Sequence, residues 1–186
     1  TPSNILLDGS ASQTNAGTYA VTANFVPSDT VNYNSLTNAP AGNFAINKAT
    51  PTISVSNSPT TYNGLAQFAT LTGSVPGTPS NILVGGSASQ TNAGIYAVTA
   101  SFVPTDTANY ISLTDAPAGS FTINKAIPVL SITNSPVIYI GSPRSANVSS
   151  SVPGSVSNIL VGGAASQINA GTYVVTANFI PSDTAN

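Results

Sequence analysis

The chain has 186 residues, a net charge of −2 and only 4% charged residues, whereas charged residues make up about a quarter of an ordinary soluble domain. Without a basic face it cannot neutralise a phosphate backbone, so the composition argues against nucleic-acid binding. The chain has no His and no Cys, which excludes disulfides and the usual transition-metal ligands, and no apolar run approaches the roughly 20 residues of a membrane helix.

The low charge does not predict disorder. Hydrophobic residues make up 41% of the chain, whereas disordered segments combine low hydrophobicity with high charge. Ser, Thr and Asn supply the polar surface instead. Since little of such a surface titrates or is screened by salt, it suits an exported protein exposed to changing conditions.

The sequence repeats every 77 residues without a gap. The segment NAGTYAVTANFVPSDTVNY begins at Asn15, returns at Asn92 as NAGIYAVTASFVPTDTANY, and returns at Asn169 as NAGTYVVTANFIPSDTAN. A period of this length indicates a tandem array of small domains rather than the turns of a solenoid. We divide the chain into a first copy (1–47, the C-terminal part of a repeat), a complete middle copy (48–124) and a last copy (125–186, the N-terminal part of the next repeat).

Alternation of apolar and polar residues between turn signals predicts about seven short strands in the middle copy. In chain order the segments are a strand around Ile53 and Val55, a break at Asn57–Pro59, a short strand and turn at Tyr62–Gly64, a strand at Gln67–Gly73 with Ala69 and Leu71 inward, a turn at Val75–Gly77, a strand at Asn81–Val84 before two glycines, a strand at Ile95–Val103, and a last strand with Phe121 and Ile123. This pattern is typical of a small β-sandwich.

The clearest strand is Ile95–Val103, between a turn at Gly94 and Pro104. One face carries Tyr96, Val98, Ala100 and Phe102, and the same row recurs as Tyr19, Val21, Ala23, Phe25 and as Tyr173, Val175, Ala177, Phe179. We expect this row to face the core of each copy.

The copies are joined by a short segment without glycine. INKATP runs directly from one repeat into the next, and Pro51 and Pro128 restrict the backbone there. We therefore expect a semi-rigid rod rather than loosely linked domains.

A combination of motifs resembles a known family. Y-N-G at Tyr62, then N-A-G-x-Y-x-V-T-A-x-F, then D-x-x-N-Y, then F-x-I-N-K-A resembles the MBG-type repeats, bacterial immunoglobulin-like modules found in tandem in large secreted and surface proteins. The resemblance covers the whole chain. It implies a β-sandwich, export and a surface or adhesive role, and it implies no catalysis.

The acidic residues are few and lie mainly in turns. Asp29, Asp106 and Asp183 each occupy P-[ST]-D-T, where the carboxylate most simply caps the turn. The alternative is a weak cation site, but one Asp per repeat falls short of the ligand number that Ca²⁺ prefers. We predict no catalytic, cofactor-binding or metal-binding residues and no cofactor.

The aromatic residues leave two interpretations open. All seven Tyr occupy three repeat positions, 19/96/173, 33/110 and 62/139. We expect the rings in the core with hydroxyls bonded at its edge, and the alternative is an exposed platform for sugars. Phe68 has Ser145 as its counterpart and is either an added core ring or an exposed contact.

Two further features have alternative interpretations. Lys48 and Lys125, at the junctions, are either solvated lysines or partners in an intramolecular Lys–Asn amide, which needs a buried acid beside the pair. Asn147-Val148-Ser149 is an N-glycosylation sequon, which is a weak signal.

These features predict a structural or adhesive extracellular array that forms a semi-rigid stalk or filament on the cell surface and is not an enzyme. The alternative is a glycan- or mucin-binding adhesin module. The expected partners are neighbouring repeats of the same chain, other copies of the protein in a filament, or surface glycans. We expect the incomplete end copies to continue in the same chain, and strand exchange between molecules is the alternative because an incomplete sandwich exposes an unpaired edge.

Overall fold

The computed structural model describes residues 1–186 and consists of β-strands without a helix, as the sequence predicts. No helix capable of crossing a membrane is present. The thirteen strands are β1 (Pro2–Leu7), β2 (Gly17–Phe25), β3 (Leu36–Ile46), β4 (Ile53–Val55), β5 (Thr60–Thr61), β6 (Leu71–Gly73), β7 (Gly77–Val84), β8 (Gly94–Pro104), β9 (Leu113–Asn124), β10 (Leu130–Ile132), β11 (Val148–Ser150), β12 (Gly154–Val161) and β13 (Val175–Pro181). The middle copy thus holds six strands, β4–β9, rather than about seven.

The chain divides into two compact units. Unit 1 comprises Thr1–Asn57, Phe68–Ser89 and Tyr96–Phe121, and unit 2 comprises Ser58–Gln67, Gln90–Ile95 and Thr122–Asn186. Residues of the middle copy therefore belong to both units.

Unit 1 is built from antiparallel pairs. β1, β2 and β3 form one sheet in that order, β4 pairs with β6, and β7 pairs with β8, which neighbours β9. Its core contains Val98, Ala100 and Phe102 of the predicted inward row of β8, which are buried, whereas Thr99 and Ser101 between them are only half-buried. Ile53, Ala69, Val84, Ala118 and Phe121 are also buried in this unit.

Unit 2 contains the antiparallel pairs β10–β11 and β12–β13. It also contains the parallel pairing of β5 with the last residues of β9, in which Thr60 is opposite Ile123 and Thr61 is opposite Asn124. Several small sheets with one buried face each are consistent with a β-sandwich.

The strand predicted at Gln67–Gly73 is wrong in its first half, because β6 begins only at Leu71. The Asn57 side chain takes the place of a neighbouring strand: its Nδ2 donates to the Phe68 carbonyl at 2.8 Å, and its Oδ1 accepts from the Thr70 amide at 2.8 Å. A side chain that bonds to the backbone in this way competes with ladder formation. Ala69 is buried as expected, whereas Leu71 is only half-buried.

Two other strand predictions need correction. The strand predicted at Asn81–Val84 begins four residues earlier, at Gly77, and includes Pro79. Proline is tolerated there because β7 lies at the edge of its sheet, where the missing N–H is not needed. The short strand predicted at Tyr62 ends at Thr61, although the Tyr62 amide still donates to the Asn124 carbonyl at 2.8 Å.

The same aromatic position differs in burial between copies. Phe102 is 1% exposed, whereas its first-copy counterpart Phe25 is 39% exposed. Likewise Phe121 is 0% exposed and Phe44 is 48% exposed. The glycine of β6, Gly73, packs against the Phe102 ring, and residues 1–47 contain no counterparts of β4 and β6. The expectation that this row is buried is therefore not met in the first copy, where Tyr19, Val21 and Ala23 are only half-buried and Phe25 is exposed.

Candidate functional site

The loops that carry the repeated Asp are ordered by that side chain. Asp106 Oδ1 accepts from the amides of Ala108 and Asn109, both at 3.1 Å, and its Oδ2 accepts from Asn109 Nδ2 at 2.8 Å. Asp29 and Asp183 make the same three bonds to their own loops. The prediction that these residues cap turns is confirmed.

The capped loop of the middle copy bonds to the first copy. Asn109 Oδ1 accepts from the Ala16 amide at 2.7 Å, and Asn109 Nδ2 donates to Asn15 Oδ1 at 3.2 Å. The Asp106 carboxylate only accepts and the Ala16 amide only donates, so together they fix which way the Asn109 amide points. Asp106 therefore orients Asn109 toward the N-A-G turn of the preceding copy.

A second instance of this contact lies in unit 2. Asn186 Oδ1 accepts from the Ala93 amide at 2.7 Å, and Asn186 Nδ2 donates to Asp183 Oδ2 at 2.8 Å. Because the same motif makes the same bond at both junctions, the contact is a property of the repeat rather than of one loop.

The segment that joins the copies is held by the same loop. Lys48 Nζ donates to the Thr107 carbonyl at 2.6 Å, and Ala49 exchanges backbone bonds with Asn109 at 2.8 Å and with Ile111 at 3.0 Å. At the next junction Lys125 Nζ donates to the Thr184 carbonyl, and the Ala126 amide donates to the Asn186 carbonyl at 3.0 Å. We call the D-x-x-N loop, the N-A-G turn and the K-A segment of each junction the junction clasp.

The clasp accounts for the two junction lysines. Both use their ammonium groups to bond a loop carbonyl, and Lys48 is exposed. An intramolecular Lys–Asn amide needs a buried acid, and the structure buries no charged side chain. The structure therefore supports the solvated-lysine interpretation and not the amide.

The central part of the chain matches a known protein family. Residues 51–127 match the family model of the MBG domain. MBG domains are repeat-type domains typical of surface proteins, in agreement with the resemblance seen in the sequence. No curated protein and no solved structure matched the chain.

Hydrogen bonds in the D-x-x-N loops favour the ionised form of the Asp carboxylate. The Asn109 side chain lowers the pKa of Asp106 below its usual value, assisted by the Asn109 and Ala108 amides and, more weakly, by the charge of Lys48. The same kind of hydrogen bonding lowers the pKa of Asp29 and of Asp183. A carboxylate that accepts several hydrogen bonds is favoured over its protonated form.

Because the pKa of Asp106 is lowered, we predict that the loop becomes less stable in acid. The folded pKa of Asp106 lies below the unfolded one, so its contribution to stability is present above the unfolded pKa of about 4 and is lost as the pH falls through the folded pKa. We expect an NMR titration of the Asp106 carboxyl carbon to have a lower midpoint than the same carbon in a peptide of residues 105–110. Equal midpoints would show that the loop bonds do not persist in solution.

The tyrosines of the chain occupy the edge of the copies rather than the core. The Tyr19 hydroxyl donates to the Asn15 carbonyl at 2.6 Å, and Tyr173 makes the same bond to Asn169 at 3.0 Å, so this ring braces the N-A-G turn. The expected hydroxyl bonding is therefore confirmed at these two residues. The expectation that the rings are buried is wrong, because Tyr33 and Tyr139 are exposed and the other five are at most half-buried.

The structure also decides the position of Phe68. Its side chain is exposed, although the neighbouring Ala69 is buried. The alternation along this segment turns the ring outward, so Phe68 is an exposed ring and not an added core ring.

Proposed function

We propose that this chain is part of a structural or adhesive extracellular array, a semi-rigid stalk or filament on a bacterial cell surface, without enzymatic activity. The junction clasp supports this proposal most directly. It bonds the D-x-x-N loops of the middle and last copies to the N-A-G turn of the copy before each, and to the segment between the copies. A protein that only needed linked domains would require no such contact.

The chemistry of the clasp suits orientation better than affinity. A single hydrogen bond of this kind contributes only about 0.5–1.5 kcal/mol net. Several bonds that converge on one half-buried amide, however, restrict the angle between the bonded segments. The clasp is therefore expected to limit bending at each junction more than it raises the unfolding free energy.

The proposal predicts that Asn109→Ala increases flexibility at the first junction. The chain has no cysteine, so spin labels can be placed on two introduced cysteines, at the exposed Asn43 and Thr114. Electron–electron double resonance should give a narrow distance distribution in the parent chain and a broader one in Asn109→Ala.

Asn32→Ala is the matched control. Asn32 bonds Asp29 as Asn109 bonds Asp106, but it is exposed and lies in the first copy. Its removal should leave the distribution unchanged. A broad distribution in the parent chain, or an equally narrow one in Asn109→Ala, would contradict the proposal.

A second candidate function, a glycan- or mucin-binding module, is favoured by the exposed rings of Phe68, Tyr33 and Tyr139. Exposed aromatic rings are frequent in binding surfaces. A glycan array probed with the folded chain tests this candidate, and retained binding by Phe68→Ser, the residue found at the last-copy position, would exclude Phe68 as the contact.

A further inference from the structure

A short loop of the middle copy carries an Asn-Gly pair that the junction clasp does not use. Asn63 and Gly64 follow β5, and both are exposed and lie outside the strands. They form the only Asn-Gly pair in the sequence, and the last copy has Ile140-Gly141 at the same place. The side-chain amide in this loop is therefore a feature of the middle copy and not of the repeat.

The carbonyl oxygen of the Asn63 side chain accepts two hydrogen bonds. The Leu65 amide donates to Asn63 Oδ1 at 2.9 Å, and Gln67 Nε2 donates to the same oxygen at the longer distance of 3.5 Å. The first bond closes a turn of the kind that Asn side chains commonly form. Donors at a carbonyl oxygen stabilise the negative charge that develops there when a nucleophile attacks the carbonyl carbon. The loop therefore activates Asn63 Cγ toward attack.

The atoms that would attack and leave are not held by hydrogen bonds. The Gly64 amide nitrogen is the nearest nucleophile along the chain that can close a ring onto Asn63 Cγ, and its N–H has no acceptor in the structure. The Asn63 Nδ2 group likewise donates no hydrogen bond. An added Cβ at Gly64 would meet only the Tyr62 hydroxyl, at 4.0 Å. Without a side chain, Gly64 has the backbone freedom that ring closure requires.

Other Asn side chains of the chain show the opposite arrangement. Asn134 Nδ2 donates to the Ser145 carbonyl at 2.9 Å, and Asn134 Oδ1 accepts from the Asn147 amide at 2.8 Å. Asn57 is held at both ends in the same way. These side chains cannot approach the amide that follows them unless both bonds break. Asn63 is bonded at its oxygen alone.

We propose that Asn63 is a site of spontaneous modification, at which the side-chain amide becomes a carboxylate through a cyclic imide formed with Gly64. In the first step the Gly64 nitrogen loses its proton and bonds to Asn63 Cγ. The bond between Cγ and Nδ2 breaks, and Nδ2 takes up that proton and leaves as ammonia. Water then adds across one of the two imide carbonyl–nitrogen bonds, which gives either aspartate or isoaspartate at position 63.

The reaction changes both the charge and the backbone of the loop. The new carboxylate adds a negative charge to a chain that has only 3 basic and 5 acidic residues. Isoaspartate also adds one carbon atom to the backbone next to Tyr62, whose amide donates to the Asn124 carbonyl at 2.8 Å. Because the loss of ammonia is not reversed, the modified fraction increases with the age of the molecule. This site goes beyond the proposed stalk function and does not depend on the junction clasp.

Prolonged incubation of the 186-residue chain at neutral and at mildly alkaline pH tests the proposal. Mass spectrometry of a digest should show the exchange of an amide for a carboxyl group at Asn63, with both aspartate and isoaspartate as products, while Asn57 stays unmodified. The reaction should be faster at the higher pH, because the attacking amide must lose its proton. Absence of the exchange at Asn63, or aspartate as the sole product, overturns the proposal.

Two variants test the role of the loop geometry. Gly64→Ala should slow the reaction at Asn63 at least about tenfold, because a side chain restricts the approach of the nitrogen to Cγ. Ser135→Gly places a glycine after Asn134, whose side chain is held at both ends, so Asn134 should still react at least about tenfold more slowly than Asn63.

Circular dichroism establishes whether each variant is folded. Ser135→Gly leaves the Asn63 loop untouched, so the comparison between Asn134 and Asn63 within that one chain remains decisive even if Gly64→Ala does not fold. Equal rates at Asn134 and Asn63 would show that the Asn-Gly sequence alone sets the rate, and would overturn the assignment of the reactivity to the loop. An unchanged rate in folded Gly64→Ala would overturn the attack by the Gly64 nitrogen.

Discussion

Replacing Phe102 with Ala is expected to lower the unfolding free energy by about 3–5 kcal/mol, the usual effect of removing a buried aromatic ring. The ring is 1% exposed and packs against two glycines, Gly73 and Gly77. A domain of this size has only about 5–15 kcal/mol of stability in total, so the loss will be visible as a lower midpoint in chemical denaturation.

Phe25→Ala is the matched control, because the same ring of the first copy is 39% exposed. Its removal should be markedly less destabilising. Equal losses at the two positions would mean that the difference in burial between the copies does not exist in solution.

Gly77→Ala is expected to destabilise the fold by about 3 kcal/mol or more, at or above the upper end of the usual cost of overpacking. A Cβ at Gly77 would lie 2.5 Å from Phe102 Cζ, 2.5 Å from the Val103 carbonyl oxygen and 2.9 Å from Pro104 Cα. Two of these three atoms belong to the backbone of β8, so rotation of a side chain cannot relieve the contact.

Gly86→Ala separates this packing effect from backbone strain. Gly86 has a φ of +83° but no atom within 4 Å of an added Cβ. Its substitution should cost only about 1–2 kcal/mol, the penalty for a left-handed residue with a side chain. Thermal denaturation of the two variants gives the comparison, and a smaller effect at Gly77 than at Gly86 would contradict the packing seen around Phe102.

The parts of the fold that depend on local patterns were predictable. The alternation in β8 placed Val98, Ala100 and Phe102 in the core, and the structure buries all three. The strands whose bounds were predicted wrongly depend on non-local partners. β6 was predicted too long because nothing in its own sequence shows that the Asn57 side chain bonds its first residues. β7 was predicted too short because Pro79 is acceptable only in an edge strand, and the sequence does not specify which strand lies at the edge.

The candidate site was predictable only in part. The sequence identifies Asp106 as a turn cap, since an Asp in a turn bonds nearby amides. It does not identify Asn109 as the residue that reaches the preceding copy, because the bonded residues are separated by 93 positions. The signal that could have found it is the co-occurrence of D-x-x-N and N-A-G in every copy at a constant spacing. That spacing is visible in the sequence, but the sequence alone does not show that the two motifs bond to each other.

The two halves of the junction clasp have a consequence for how the number of copies can change. The middle copy has both halves: its N-A-G turn receives the loop of the last copy, and its D-x-x-N loop bonds the first copy. A duplicated repeat therefore brings with it both halves that its new neighbours need, and a deleted repeat removes both. An array that gained or lost whole repeats of this kind would keep the same contacts at every junction, so its length could change without compensating changes in sequence.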